Sequence, residues 1–447
     1  MPINNQQLGS TALRFVKKKL RSVRNRVLSY KGSDAHASNK SGDAPAPKNW
    51  IDALDWKELE TLLTLRRFDL SAEQVRRNFL LNAAFIDSSE PLKTVNWFVP
   101  HFEHIFAGIN TIFRFAARLH EHHGLHSNIV IYDCAEANIA STREKIRRAF
   151  PVLEPNALFY SNSDECLNNV PAADACVATF WHSAYLISEV ANTRSKFYFI
   201  QDYEPLFYEA GAIYGLAEAT YRLGLLRIVN TPGLLEAIES LHGKGGVAFT
   251  PSVDRQLYFP APVSLQGIGK IRIFFYGRPQ TPRNGYMLGI EALRKVKETY
   301  NEKVEIITAG GEWDPKDYEA ENVLTNLGVL ADLKEVAALY RSCHIGLVFM
   351  FTKHPSYQPL EFMASGCSVV SNTNDATTWL LKHGENALLT EPTIKSVSEA
   401  IGSLIDNPQL RYKLAAQGLT SISAQDWNTT IDDVCHRAGI IRTTVKK

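Results

Sequence analysis

Short apolar runs rich in β-branched and aromatic residues alternate with helical periodicity along most of this 447-residue chain. No other feature constrains the fold as strongly. The strand-like runs fall at 94–99, 128–132, 175–180, 196–200, 226–229 and 247–250, then at 271–276, 303–308, 323–327, 344–349 and 367–371. Helical patterns occupy 51–86, 108–123, 141–149, 206–223, 287–299, 332–342, 359–365 and 395–405. Strands that alternate with helices pair in parallel and build doubly wound α/β sheets. Eleven strands are too many for one ordinary sheet and suit two. The periodicity breaks at 251–270 (PSVDRQLYFPAPVSLQGIGK), where three prolines and two glycines interrupt it. Two Rossmann-like domains are therefore expected, residues 49–262 and 263–425, followed by a helical tail at 426–447. In open parallel sheets ligands collect at the carboxyl ends of the strands, so the cleft between the domains is the expected site.

The first 48 residues form a separate device. Residues 1–50 hold ten Lys and Arg against Asp34 and Asp43, a net charge of +8, which leaves −7 for the remaining 397. A mildly acidic body speaks against general nucleic-acid binding. Leu13, Val16, Leu20, Val23 and Val27 recur at three- and four-residue spacing, with Phe15 and Leu28 widening the stripe. A helix over 13–28 would present that stripe opposite basic residues, a pattern suited to an anionic membrane surface. A helix docked on the body through the same stripe, or a solvated basic tail, fits the pattern too. Residues 31–48 read as a flexible Gly/Ser/Ala/Pro linker. No apolar run reaches the roughly 18–20 residues of a membrane span, and no secretory leader pattern opens the chain. Six cysteines without a C-x-x-C pair read as reduced thiols. The expected location is cytoplasmic, peripheral on the inner face of the cell membrane.

Several phosphate and metal signatures are absent. There is no G-x-x-x-x-G-K-[ST], no G-x-G-x-x-G after a strand and no D-x-D. The cluster His120, His122, His123 and His126 lies at an expected helix end beside Gly124, where the helix dipole favours histidines without a metal. The segment 344–391 is more informative. A strand (HIGLVFMF) runs into the polar loop Thr352-Lys353-His354-Pro355-Ser356, then into a helix-like run from Pro359 to Cys367 and a second strand. Such a unit points backbone N–H groups and the positive helix end at whatever lies above the strand, which suits a diphosphate. Glu361 fits the first turn of that helix as a dipole partner, and it fits as an acceptor for sugar hydroxyls.

Residues 359–370, P-L-E-F-M-A-S-G-C-S-V-V, resemble the second half of E-x-F-G-L-x-x-L-E-A-M-A-x-G-x-P-V-V of family-4-like glycosyltransferases with the GT-B fold. Gly277 to Gly285 resembles the family's G-R-x-x-x-x-K-G, and Gly310-Gly311-Glu312 its G-x-G. Asn326-Leu327-Gly328-Val329-Leu330 is similar to the stretch before the base-binding loop, and His383 to Leu389 to the late G-E-N-G motif. The order of the motifs is also the family's. The resemblance implies a retaining, metal-independent transferase with no cofactor beyond its nucleotide-sugar donor. It places Arg278 and Arg283 on the diphosphate, together with the helix start at Gly108 and Ile109. Gly310, Gly311, Gly328, Val329 and Leu330 would border the nucleoside, with Tyr357 and Glu361 in the donor loop. A departing diphosphate needs fixed cations, and arginine grips oxygens with two donors.

Some positions depart from the pattern. Lys353 stands eight before Glu361, where the family has an acidic residue that holds the donor sugar, and offers a third cation instead. Ser356-Tyr357-Gln358 replaces F-G-L. Gln201-Asp202 occupies the place of an H-D pair, so His182 or His101 would supply the histidine contact and Asp202 would bind the acceptor hydroxyl. Within the family the chain resembles rhamnosyltransferases that use dTDP-L-rhamnose to extend bacterial surface glycans, including those of S-layer glycoproteins. The resemblance implies transfer of L-rhamnose to a lipid-linked glycan. A nucleotide-sugar epimerase of the same fold, or a membrane-associated glycan-binding protein without turnover, are the alternatives.

Overall fold

The computed structural model describes residues 55–261, 269–354, 356–424 and 426–442. The expected helix at 13–28 and the linker at 31–48 lie outside them. The chain divides into two units, Met1–Leu59 and Glu60–Lys447, and both sheets belong to the second.

The first half runs α1 (Trp56–Arg67), α2 (Ala72–Asp87), β1 (Thr94–Val99), α3 (Ala107–His123), β2 (His126–Ile131), α4 (Glu136–Ala149), β3 (Ala157–Phe159), α5 (Ser163–Asn169), β4 (Ala175–Ala178) and α6 (Trp181–Glu189). It continues through β5 (Ser195–Ile200), α7 (Ala212–Ala219), β6 (Leu226–Asn230), α8 (Pro232–His242) and β7 (Val247–Phe249). The second half has β8 (Ile271–Tyr276), α9 (Tyr286–Tyr300), β9 (Val304–Ala309), β10 (Thr325–Asn326), α10 (Leu333–Arg341) and β11 (Ile345–Leu347). It ends with α11 (Gln358–Ala364), β12 (Ser368–Asn372), β13 (Ala387–Thr390), α12 (Ile394–Asp406), α13 (Pro408–Ser421) and α14 (Trp427–Arg437).

Two parallel sheets result, in the orders β3-β2-β1-β4-β5-β6-β7 and β10-β9-β8-β11-β12-β13. The expected eleven strands are present, and two more join them. β3 and β13 are edge strands of three and four residues, too short to stand out as apolar runs. The expected strand at 175–180 stops at Ala178, because Trp181 already opens α6. The expected helix at 206–223 is broken, with only Ala212–Ala219 forming α-helix between two 3₁₀ turns.

Central strands are covered on both faces, as parallel sheets require. Successive residues of β1 serve opposite layers: Trp97 and Val99 join one core, Phe98 the other. β8 repeats this with Ile273 and Phe275 on one side and Phe274 on the other. The C-terminal helix α14 returns to the first half. Its Trp427, Ile431, Val434 and Cys435 join the core beneath the first sheet. Asp432 receives Arg118 at 2.6 Å and lies 2.7 Å from the His123 ring. The histidine cluster therefore belongs to a helix end, which Gly124 closes in the left-handed conformation. Each sheet reverses its winding once, at β1/β4 and at β8/β11. The loops after those strands are where an open α/β sheet offers a crevice.

Candidate active site

The loop after β1 enters α3 through Ala107, whose φ of +41° is left-handed. A non-glycine residue held there stores strain, and such strain gathers at functional positions. Gly108 follows, and the Gln201 amide lies across it. Gln201 Nε2 donates to the Gly108 carbonyl at 3.2 Å, and a Cβ at 108 would stand 3.1 Å from that nitrogen. A larger residue at 108 would have to push that amide aside. Ile109 is the next residue of the helix, in its first turn.

Across the crevice, the loop after β8 carries Arg278 and Arg283. Arg278 donates to the Tyr276 hydroxyl at 3.2 Å. Arg283 reaches into the first half and lies 4.4 Å over the Phe207 ring. Burial lowers the affinity of its guanidinium for a proton, and the nearby Asp202 carboxylate opposes that effect. Asp202 itself is pushed up to about 6 by burial, against the pull of Arg283. The Thr352 hydroxyl also approaches Asp202, without a well-formed hydrogen bond. The structure thus brings Arg278, Arg283 and Asp202 together at the ends of β8 and β5.

The loop after β11 completes the crevice. Ser356 adopts φ +66°, the conformation that favours glycine. That places the glycine of the family's F-G-L at 356 and corrects the register by one, to Pro355-Ser356-Tyr357. Tyr357 carries the contact between the halves. Asn230 Nδ2 donates to its hydroxyl at 2.7 Å, and Thr111 Oγ1 lies 2.8 Å away. Because the Thr111 hydroxyl donates to the Ala107 carbonyl, it accepts from Tyr357. One chain of hydrogen bonds then runs from β6 through Tyr357 to the strained start of α3. Glu361 sits one turn into the helix region, pushed up to about 7 by burial, with the Tyr258 hydroxyl nearby holding it from rising further. Lys353 is exposed on the same loop.

At the far edge, Gly310 turns with φ +109° and donates to the Gly328 carbonyl at 2.8 Å. Glu312 accepts the Val329 N–H at 2.9 Å, and a Cβ at Gly328 would meet its carboxylate at 2.7 Å. These contacts brace Gly310, Gly311, Gly328, Val329 and Leu330 as one rim. Val329 and Leu327 stay exposed there, an apolar patch of the kind a nucleobase covers.

His182 is engaged elsewhere. Its ring stacks on Phe68 at 5.0 Å and meets Trp181 edge-on, and burial pushes it down to about 4. His101 lies 3.3 Å from the Thr142 hydroxyl on α4. The crevice also contains polar residues that, Gln201 apart, the motifs did not single out. Gln201 Oε1, Asn230 Oδ1, Thr352 Oγ1 and His354 Nε2 are all buried without a hydrogen-bond partner. Asn230 had a legible signal, a polar residue closing an apolar strand run. Thr352 and His354 had only their place in a polar loop.

Residues 94–231 match the profile of the WsaF N-terminal domain, and residues 271–402 that of the WsaF C-terminal domain, more than half of the chain between them. The chain belongs to the WsaF family, through both of its domains. The N-terminal WsaF region contains Gly108, Asp202 and Asn230; the C-terminal one contains both arginines and the whole loop from Thr352 to Glu361. Among curated proteins, the chain is 41% identical over 373 residues to the O-antigen biosynthesis protein RfbC of Myxococcus xanthus, covering 83% of this chain and 29% of that protein. It is 23% identical over 210 residues to the phosphatidyl-myo-inositol mannosyltransferase of Mycobacterium leprae, covering 44% of this chain and 53% of that protein. The chain thus spans under a third and about half of these two relatives. Solved structures share the fold. HepE of Anabaena, in complex with UDP and glucose, superposes with a TM-score of 0.61 at 14% identity, over 77% of this chain and 99% of that one. Sucrose-phosphate synthase of Thermosynechococcus elongatus gives 0.57 at 13% identity, over 77% and 98%. The fold of this WsaF-family chain is GT-B.

Proposed function

We propose that this chain transfers a sugar from a nucleoside diphosphate donor to a growing surface glycan. The observation that carries the reading is the meeting of Arg278, Arg283 and Asp202 at the carboxyl ends of β8 and β5, with the α3 start joined to the β5 end through Gln201 and Gly108. When the glycosidic bond to the donor breaks, negative charge develops on the departing diphosphate. Two guanidinium groups and the N–H groups of a helix start offset that charge without moving, which is where electrostatic catalysis gains most. Asp202 accepts from the incoming acceptor hydroxyl and orients it. Glu361 accepts hydroxyl hydrogens of the bound donor. With side-chain cations in that role, the transfer proceeds without a metal ion, and the donor is retained in configuration as in the family the motifs resemble.

For the donor, we take dTDP-L-rhamnose, on the motif resemblance alone; for the acceptor, a lipid-linked glycan. The names of two relatives support the acceptor alone: one is an O-antigen biosynthesis protein and the other a phosphatidyl-myo-inositol mannosyltransferase. The test is a thermal-shift panel of nucleotide sugars, followed by release of nucleoside diphosphate with and without glycan acceptor. A ligand that binds only the folded chain at a hundred times its Kd raises stability by about 2.7 kcal/mol. dTDP-L-rhamnose should raise the melting temperature most. A protein that no nucleotide sugar stabilises would overturn the transferase reading, and acceptor-independent conversion of the donor would favour an epimerase.

A further inference from the structure

His354 is 4% exposed, in the loop between β11 and α11. Its Nδ1 accepts the Ser356 N–H at 3.0 Å. A ring nitrogen that accepts carries no proton, so the proton of the neutral ring is on Nε2. Burial pushes this histidine down to about 3, and no neighbouring charge contributes to that shift. At physiological pH the ring is therefore a neutral donor through Nε2, with neither a carboxylate to orient it as a base nor a charge to offer a phosphate. Yet Nε2 is buried and has no partner within the protein. An unsatisfied buried donor costs the fold stability, a cost that persists where a ligand supplies the missing acceptor.

The surroundings indicate which ligand. Two residues before, Thr352 is 2% exposed, with its own hydroxyl unpartnered beside Asp202. Three residues after, the Tyr357 ring lies 5.9 Å from the imidazole and ties the loop to the first half. The cationic diphosphate site is on a different loop, at Arg278 and Arg283. We infer that His354 is a specificity-determining binding residue for the transferred sugar, donating from Nε2 to one of its hydroxyl oxygens. This rests on the nucleotide-sugar reading of the crevice. A neutral N–H discriminates between sugars that place an oxygen there and those that do not, because the mismatched sugar leaves the donor unpaired.

The experiment uses the full chain, with His354→Phe and His354→Gln, the second restoring an N–H. Calorimetry measures a nucleoside diphosphate and the nucleotide sugar that wild type binds. His354→Phe should hold the diphosphate within about twofold and the nucleotide sugar about tenfold more weakly, the loss expected of one hydrogen bond. His354→Gln should recover part of that. Without ligand, His354→Phe removes an unsatisfied donor but also the acceptor of the Ser356 N–H, two opposed effects that should leave its melting temperature close to that of wild type. Donors lacking one sugar hydroxyl give an independent reading: one of them should lose about tenfold with wild type and markedly less with His354→Ala, which has no side-chain donor. That comparison stands even where His354→Phe fails to fold. Unchanged nucleotide-sugar binding by His354→Phe, equal losses for diphosphate and sugar, or the same deoxygenation penalty in both proteins would overturn the inference. A wild-type chain that binds no nucleotide sugar would end the site reading itself, and this inference with it.

Discussion

The Asn230 amide donates to the Tyr357 hydroxyl at 2.7 Å, so the end of a strand in one half is bonded to the donor loop of the other. Through Thr111 the same hydroxyl steadies the carbonyl of strained Ala107. Tyr357→Phe keeps the ring and removes the link. It leaves the Asn230 amide N–H buried without a partner, a loss of about 1–3 kcal/mol, while Thr111 keeps only its bond to the Ala107 carbonyl. The expected outcome is a lower melting temperature together with a raised KM for donor, read by calorimetry and initial rates. An unchanged KM would mean that the link does not shape the site.

Arg278→Ala and Glu361→Ala should each lower transfer by at least about 10²-fold, or roughly 3 kcal/mol of transition-state stabilisation. Steady-state kinetics on folded variants decide it. Near wild-type turnover by Arg278→Ala would remove the arginines from the diphosphate site.

Acidity in the crevice makes a stability prediction. Asp202 and Glu361 have folded values raised to about 6 and about 7. The folded state therefore holds more protons than the unfolded state between about pH 4 and 7. Their contribution is fully present below the ordinary carboxylate range and is lost as pH rises through the two raised values. Glu361→Gln, which carries no charge at any pH, should match wild type at pH 5 and exceed it by about 1–3 kcal/mol at pH 8. Melting curves across that range check the sign. The same variant should lose activity, since stability is gained by giving up a site carboxylate.

EDTA should leave transfer intact, because the arginines stand where a divalent ion would otherwise neutralise the diphosphate. Activity abolished by EDTA and restored by Mg²⁺ or Mn²⁺ would refute this.

Eight Lys and Arg between Arg14 and Lys31, without an acidic residue, should bind anionic vesicles with about 1 kcal/mol per basic residue near the surface. Deleting residues 1–45 should abolish sedimentation with such vesicles, and salt should weaken it in the full chain. Transfer to a small soluble acceptor should survive the deletion. Vesicle binding by the shortened protein would end the membrane role of that segment.

The chain's alternating pattern made the two sheets legible, because central strands such as TVNWFV and IRIFFY are buried on both faces and read as continuous apolar runs. β3 and β13 were not legible, since an edge strand of three or four residues needs no such run. The two arginines and Glu361 stood out through motif spacing alone; that Arg283 would lie against Asp202 was not legible, because the two belong to different sheets. The packing of His182 was not visible: stacking on Phe68 joins residues more than a hundred positions apart. Nor did the sequence reveal His354, whose significance lies in a missing partner. Sequence records which groups are present, while satisfaction of a hydrogen bond is a property of the folded surroundings.

Helix α14 gives the chain a particular order of birth. The core beneath the first sheet includes Trp427, Ile431, Val434 and Cys435 of a helix that leaves the ribosome after every strand of the second sheet, and Asp432 closes on Arg118 and His123 only then. A nascent first half therefore waits, with its apolar underside uncovered, until the entire second half has been synthesised. Losing this helix would not trim a tail; it would leave the core of the first sheet unfinished.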